Sequence, residues 1–362
     1  MNLSEYVHQV EEALHNLDVK KACAPDDIPA FILKHCRFLL APSLTVLFNV
    51  SIQSKCVPAE WKKAYVVPIH KKADKHNVAN YRPISLLCNV SKTLERLVFN
   101  HLYIHVKDFI YSLQHGFIKG RSCASQLLHV YHQIGSYLDK GDQIDVIFLD
   151  FTKAFDCISH SLLLYKLEHM YGVENSLLGW LQSYLSERSQ CVLVEDKCSN
   201  WAPVPSGVPQ GSILGPLLFL LFINDMPLVT SNCTTALFAD DAKCFLKVDS
   251  LHNCQILQND LLKLQEWSTA WKMCFNPSKC KVLSITRSQT PVNFVYSLGQ
   301  SLEHVGVFKD LGIVIDQSLT FNEHITNLVT KCNKVSGMIK RSVGFNAPSH
   351  VKLRASLYGG VR

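Results

Sequence analysis

The chain has 362 residues, 48% of them hydrophobic and 18% charged, with 36 Lys and Arg against 30 Asp and Glu for a net charge of +6. That length and balance exclude a disordered chain, allow one large or two ordinary domains with a real core, and mildly favour a polyanionic partner. Fourteen cysteines with no C-x-x-C pair and no zinc-like spacing exclude a zinc module and read as reduced, intracellular, mostly core thiols.

In chain order, "MNLSEYVHQVEEALHNL" is an acidic amphipathic start without the apolar stretch of a secretory signal. No targeting signal decides between nucleus and cytoplasm. Residues 64–69 predict a strand, followed by a basic turn and a Pro-fixed extended stretch that together carry Lys71, Lys72, Lys75 and Arg82. From Ser122 to Leu138, Leu127, Tyr131, Ile134 and Leu138 recur at helical spacing, and Gly141 stops the helix. "IDVIFLD", residues 144–150, is a continuous apolar strand ending in an aspartate, and the next helix is stopped by Gly172.

"ILGPLLFLLFI", residues 213–223, is the longest apolar run and falls short of the roughly 20 residues that span a bilayer. "TALFADDAKCFLKV", residues 235–248, is a hairpin with two aspartates at its tip. A helix follows, with Ser250 as its N-cap, an apolar face of Leu251, Cys254, Leu257, Leu261, Leu264 and Trp271, and a stop at Asn276-Pro277; residues 280–286 form a further strand. Strand, helix, hairpin, helix, strand is the order of the ferredoxin-like βαββαβ unit, so the fold class is α+β.

In that topology Asp150 lies beside Asp240 and Asp241. Three carboxylates on one sheet edge repel one another unless cations intervene. Two hard divalent ions about 4 Å apart, held by carboxylate oxygens and substrate phosphate, resolve the repulsion and suit displacement at phosphorus. Each part has a plainer reading. An Asp-Asp pair is often a solvated turn, Asp156 can be a helix cap, Phe155 can be core, and the basic segment can be a solvated face. The loop "GVPQGS" before the apolar run puts Gln210 between Gly207 and Gly211 on a tightly specified backbone.

"LDFTKAFD", "GVPQGSILGPLLFLLFINDMP" and "FADD" occur in this order, with "YRPISLLCNVSKTLERLV" and "QHGFIKGRS" upstream and "NPSKCKVL" and "FKDLGIVID" downstream. Across about residues 61–341 the chain thereby resembles the reverse transcriptases of non-LTR retrotransposons, LINE-like elements of the Jockey and CR1 kind. The resemblance implies a right-hand polymerase: a helical fingers extension at 1–60, fingers and a βαββαβ palm at 61–316, and a partial thumb at 317–362. It implies an RNA-directed DNA polymerase that extends a DNA primer on an RNA template with dNTPs and two Mg2+ ions, for which Mn2+ can substitute.

By the same resemblance Asp150, Asp240 and Asp241 are the catalytic and metal-holding carboxylates, and Phe155 is the steric gate against a ribose 2′-hydroxyl. Lys71 and Arg82 meet the triphosphate, Gln210 and Gly211 lie along nucleotide and template, Lys279 sits near the leaving pyrophosphate, and Asp310, Leu311 and Gly312 form the primer grip. No membrane partner is expected, and protein partners are undefined. After the grip, Ile325, Leu328, Cys332, Val335 and Ile339 make one side of a thumb-like helix, with Lys331, Lys334 and Arg341 on another.

In "KACAPDDIPA", Ala24 and Asp27 stand where the resembled family usually has glycine, which puts the local finger geometry in question. With no endonuclease segment ahead of it and an early stop in the thumb, the chain reads as a piece of a longer polyprotein. A truncated, weakly active or inactive nucleic-acid-binding remnant is therefore the alternative. A metal-dependent nuclease or phosphatase would also use clustered aspartates, but leaves Gln210 and Phe155 without a role.

Overall fold

The computed structural model describes residues 7–20, 22–71 and 74–343. Lys72 of the basic turn, the first six residues and residues 344–362 of the expected thumb lie outside the described residues.

The chain begins with α1 (Val7–His15), α2 (Ala30–His35) and α3 (Arg37–Gln53). Val10, Leu14, Leu33, Phe48 and Ile52 carry these helices into the main core, whereas Leu39, Val46 and Val50 on α3 face solvent. Between α1 and α2, Asp27 adopts φ 51°. The turn thus keeps a left-handed backbone even though an aspartate, one of the few side chains that tolerates it, stands in the glycine position.

Next come β1 (Lys63–His70) and β2 (Tyr81–Leu87), an antiparallel pair in register Ile69↔Arg82, then α4 (Asn89–Val106). α5 (Cys123–Leu138) opens with a capping box, in which Ser122 Oγ accepts the Ser125 N–H at 3.2 Å and Ser125 Oγ accepts the Ser122 N–H at 2.9 Å. Gly141, at φ 85°, turns the chain into β3 (Gln143–Leu149). α6 (His160–His169), α7 (Asn175–Leu185), β4 (Ser189–Val194), β5 (Lys197–Cys198) and β6 (Ala202–Pro203) precede α8 (Leu214–Ile223). Apolar all round, α8 has no solvent face to offer, and it is buried except at Pro216.

The hairpin is β7 (Thr234–Phe238) and β8 (Asp241–Val248), followed by α9 (Leu251–Ala270), β9 (Lys281–Ile285) and β10 (Glu303–His304). β11 (Val307–Asp310) and β12 (Ile313–Asp316) form a second hairpin before α10 (Asn322–Val343). Among the described residues no helix is long and apolar enough to cross a membrane.

The architecture is mixed α+β. The main sheet runs β10-β9-β3-β8-β7, so the strand that opens the unit lies between the second hairpin arm and the closing strand, which is the βαββαβ order. β3 is buried along its whole length, as a strand covered on both faces must be. Val146 and Phe148 point into a core shared with α5 and the β11–β12 hairpin, while Ile147 and Leu149 point into the larger core with α8 and α9. A separate sheet, β2-β1-β4-β5 with β6 paired to β4, flanks it.

Two expectations are corrected and two details refined. Of the fourteen cysteines only Cys88, Cys191, Cys244, Cys254 and Cys280 are buried, so they are not mostly core. Leu251 is 62% exposed, because the first turn of α9 overhangs the core. Ser250 is the N-cap of α9 by position, but its hydroxyl bonds the Asn253 side chain at 2.6 Å rather than a free backbone N–H. Asp156 caps no helix: Ser159 holds the N-cap position of α6.

Candidate active site

Asp150 and Asp241 come together through strand register. The β3–β8 ladder ends at Leu149↔Ala242, so Asp150 and Asp241 are the next residue along each side, and their carboxylates are close enough for Asp150 to raise Asp241. Phe148↔Lys243 is the ladder pair just before the last. Asp240 occupies the hairpin tip next to Ala239, which has φ 54°.

The tip is held from outside the hairpin. Leu237 exchanges hydrogen bonds with the preceding loop, His115 N–H to Leu237 O at 2.9 Å and Leu237 N–H to Leu113 O at 3.0 Å. The buried Gln114 accepts the Ala239 N–H at 3.0 Å and the Gly116 N–H at 2.7 Å through one oxygen, Oε1. Gly116 packs so closely that an added Cβ would lie 2.2 Å from Ala239 N. Only a residue without a side chain fits against the acidic turn.

Electrostatics mark the same place. Burial pushes the Asp241 carboxyl up to about 6, and repulsion from Asp240, Asp310 and Asp150 adds to it while Lys243 opposes. Asp241 is nonetheless exposed to solvent, so this desolvation is partial. Asp240 is also raised, chiefly by burial and further by Asp150, against the opposing pull of Arg82 and Lys71. The cations from the β1–β2 sheet are therefore within electrostatic reach of the acidic tip. Lys279 Nζ lies 3.4 Å from Asp150 Oδ2, an ion pair without hydrogen-bond alignment, and that buried oxygen has no hydrogen-bond donor.

These observations bear on whether a divalent ion suits the site. The donors are hard carboxylate oxygens, one of them buried and lacking a hydrogen bond, in a repulsive cluster, which fits Mg2+ chemistry. Among the described residues, however, no three His, Cys, Asp or Glu side chains are gathered into a metal-ligating group.

The remaining expected residues surround this edge. Phe155 stacks on Phe219 at 4.3 Å and meets Phe117 edge-on at 6.2 Å, so its ring is fixed from two sides. Gln210 donates from Nε2 to Asp156 Oδ1 at 3.0 Å, which gives Asp156 a role its sequence context did not suggest. Gln210 O accepts the Ser85 N–H at 2.7 Å, and Gly211, at φ 125°, sits where a Cβ would come within 2.5 Å of Ser85 O. This loop is wedged between β2 and the turn after β3. Its far end is fixed by Glu95, fully buried on α4, which accepts the N–H groups of Ile213 at 2.8 Å and Leu214 at 3.3 Å at the start of α8.

Leu311 and Gly312, at φ 44° and 96°, are the two central residues of the β11–β12 turn. Both positive angles match the tight turn whose twist suits a hairpin. Asp310 turns inward: it is 4% exposed, ion-paired with Lys243, and accepts the Tyr131 hydroxyl at 2.8 Å.

Sequence reasoning missed Gln114, Glu95, Asp156 as a partner of Gln210, and Lys243. The last had a signal, since a lysine two residues from Asp241 in a buried strand needs a counter-charge on its face.

A motif order and a site of this kind define a polymerase-like protein, and comparison with known proteins gives the family. Residues 69–307 match the model for "Reverse transcriptase (RNA-dependent DNA polymerase)". The chain is 31% identical over 348 residues to "RNA-directed DNA polymerase from mobile element jockey" of Drosophila melanogaster, covering 92% of this chain and 38% of that protein. It is 30% identical over 339 residues to "Probable RNA-directed DNA polymerase from transposon BS" and 31% identical over 296 residues to its counterpart from transposon X-element, both of Drosophila melanogaster. Those matches cover 90% and 80% of this chain, and 37% and 32% of the relatives. The chain belongs to the reverse transcriptase family, in its non-LTR retrotransposon branch of Jockey and CR1 type. It spans under two fifths of the length of these relatives.

Proposed function

We propose that this chain is an RNA-directed DNA polymerase, transferring a nucleotide from a dNTP to the 3′-hydroxyl of a DNA primer on an RNA template. What supports the reading is that β3 and β8 run together to Leu149↔Ala242, leaving Asp150 and Asp241 as the next residues, with Asp150 raising Asp240 and both raising Asp241, Arg82 and Lys71 acting on Asp240, and Lys279 paired with Asp150. In this reading residues 61–316 form fingers and palm, 1–60 a helical fingers extension and 317–362 a partial thumb.

Asp150, Asp240 and Asp241 would hold two Mg2+ ions. When bound, these supply charge neutralisation and activation of the primer hydroxyl. Arg82 and Lys71 bind the triphosphate oxygens, balancing charge that grows as the phosphoryl group transfers. Lys279, already at the Asp150 carboxylate, reaches the pyrophosphate as it leaves. The Phe155 ring, fixed by Phe219, excludes a 2′-hydroxyl. The wedge of Gln210 and Gly211 against Ser85 orients the nucleotide and its template base. A groove of about 1350 Å3 between α1 and α4, lined by Arg96, Phe99 and Lys119, opens at Gly211 and offers charge and aromatic faces to unpaired template.

The test is primer extension by the purified chain on an RNA template with dNTPs and Mg2+. Extension is expected, and Asp150→Ala or Asp240→Ala is expected to abolish it with an unchanged circular dichroism spectrum. Full extension by either variant refutes the assignment.

One observation favours a second reading, a remnant that binds nucleic acid but turns over poorly. Among the described residues the apolar side of α10 is covered only in part: Val335 and Ile339 are half-buried, while Ile325 is 53%, Leu328 52% and Val329 51% exposed. Salt-dependent retention of duplex with no extension at any Mg2+ or Mn2+ concentration supports that reading over the first.

A further inference from the structure

Three side chains from separate elements meet behind the acidic edge: Lys243 on β8, Asp310 on β11 and Tyr131 on α5. Lys243 is 1% exposed, and its ammonium group is bonded to Asp310 Oδ2, the oxygen that also accepts the Tyr131 hydroxyl. Lys243 lies two residues along the strand from Asp241 and on the same face, so its side chain projects beside that carboxylate. Asp310 is the last residue of β11, and the chain continues directly into the turn of Leu311 and Gly312. A second bond of the same kind is apolar: Phe308 on β11 stacks on Phe148 of β3 at 3.8 Å, and Phe148 is two residues before Asp150.

Both strands that present catalytic carboxylates are thus tied to one small hairpin. β11 and β12 form a two-stranded sheet of their own, outside the main sheet's ladder. Backbone bonds hold its base, Val305 N–H to Val282 O at 2.9 Å and Thr286 N–H to Gln317 O at 2.8 Å, whereas the end that carries the turn is held by side chains. A buried ion pair in such a place is a demanding joint: it holds only in one geometry, and either partner left alone is an uncompensated buried charge.

We propose that Lys243 and Asp310 are positioning residues, a buried charged tether that fixes the turn of Leu311 and Gly312 relative to Asp241, so that a primer end resting on the turn and the carboxylates move as one body. This rests on the polymerase reading. It also gives Asp310 a different task from direct contact with primer: the carboxylate faces inward, and the exposed Gly312 is the part of the turn a nucleic acid meets. Tyr131 restrains the same oxygen and contributes less, because its removal leaves the ion pair intact.

Single-turnover primer extension separates this from a general need for the pair in folding. A protein that is partly unfolded loses burst amplitude, whereas a misplaced primer end lowers the rate constant at full amplitude. Lys243→Met and Asp310→Leu, each leaving one buried charge, are expected to lower the rate constant by about 100-fold, the cost of a displacement near 1 Å, with dNTP affinity little changed. The double variant Lys243→Met/Asp310→Leu replaces both charges with apolar groups of similar size and is expected to recover to within about 10-fold of the unaltered chain. Tyr131→Phe is expected to stay within about 3-fold.

Hydrogen exchange on the full chain reads the tether without catalysis: amides of residues 307–316 should exchange faster in Lys243→Met and return toward their original rates in the double variant. Loss of amplitude alone in the single variants, unchanged exchange in Lys243→Met, or a double variant as slow as the singles overturns the tether. Exchange that responds as expected in a chain that extends no primer overturns instead the polymerase reading, and with it the tether's part in positioning a primer.

Discussion

Gly116→Ala tests whether the acidic turn is held where the chemistry requires it. The added Cβ would lie 2.2 Å from Ala239 N and 2.9 Å from both Ala239 Cα and Cβ. Two of these neighbours are backbone, so no flexible side chain can swing aside. To reach ordinary contact at 3.4 Å the two segments must part by roughly 1.2 Å, a displacement that costs on the order of 100-fold in rate when it falls on a catalytic group. Retreat of Ala239 is opposed by its N–H bond to Gln114 Oε1, and retreat of Gly116 by the bonds that tie residues 113–115 to Leu237. The strain therefore goes into the tip that carries Asp240. Single-nucleotide primer extension should show a fall of about 100-fold, with a melting temperature only a few degrees lower. Gly135→Ala is the control, since a Cβ there meets nothing within 4 Å in the interior of α5 and should stabilise by about 0.5–1 kcal/mol. An unchanged extension rate in Gly116→Ala would refute the claim that this contact positions the turn.

Phe155→Val keeps a side chain on Phe219 but shortens it, and should narrow the preference for dNTP over the matching ribonucleotide by roughly 100-fold, measured as the ratio of kcat/KM values. Arg82→Ala should raise the KM for dNTP by about 10-fold or more while primer–template affinity stays within about 2-fold, because its charge faces the Asp240 tip rather than a duplex. Asp260→Ala should cost about 3–5 kcal/mol in urea unfolding: this buried carboxylate accepts the N–H groups of Ser231, Asn232 and Cys233 and the Lys263 ammonium, all left unpaired by the change. Burial alone would raise Asp260, but those donors prevail and hold it below the usual 3.8. Its contribution is therefore complete above about pH 4 and is lost as pH falls through the lower folded value; an acid-unfolding midpoint that does not move in Asp260→Asn contradicts this.

What the sequence disclosed and what it hid follow from the range of the forces involved. β3 could be read because a strand covered on both faces has to be apolar throughout, and the hairpin because two such arms flank a polar pair. Once strand order was in hand, the approach of Asp150 to Asp241 followed from topology. The role of Lys243 was not singled out because its partner Asp310 is 67 residues on, in a hairpin outside the main sheet. Gln114 was opaque for the same reason: the N–H it accepts belongs to Ala239, 125 residues away. Asp156 admitted a cap reading because an aspartate after a strand is so often one, while its partner here, Gln210, is 54 residues on. Local patterns encode elements and faces; buried polar partners are decided by packing that no window of sequence contains.

The charges around the cleft show why its carboxylates stay strained in the protein alone. Asp150, Asp240, Asp241 and Asp310 interact at one end of the sheet, and among the described residues Lys71, Arg82, Lys243 and Lys279 oppose them. Two of those are committed: Lys243 is spent on Asp310, and Lys279 lies against Asp150. Among the described residues Arg82 and Lys71 oppose burial and repulsion at Asp240, while burial first and then repulsion from Asp240, Asp310 and Asp150 push the Asp241 carboxyl up to about 6 against Lys243. Those two cations are also the ones on the β1–β2 sheet proposed to take the triphosphate. A nucleotide that engages them removes the relief Asp240 now has, at the moment it brings phosphate charge of its own. In the proposed reading the sheet edge thus has a deficit of positive charge that grows as substrate arrives, and the side chains among the described residues do not fill it; hard divalent cations held jointly by the aspartates and the phosphates would.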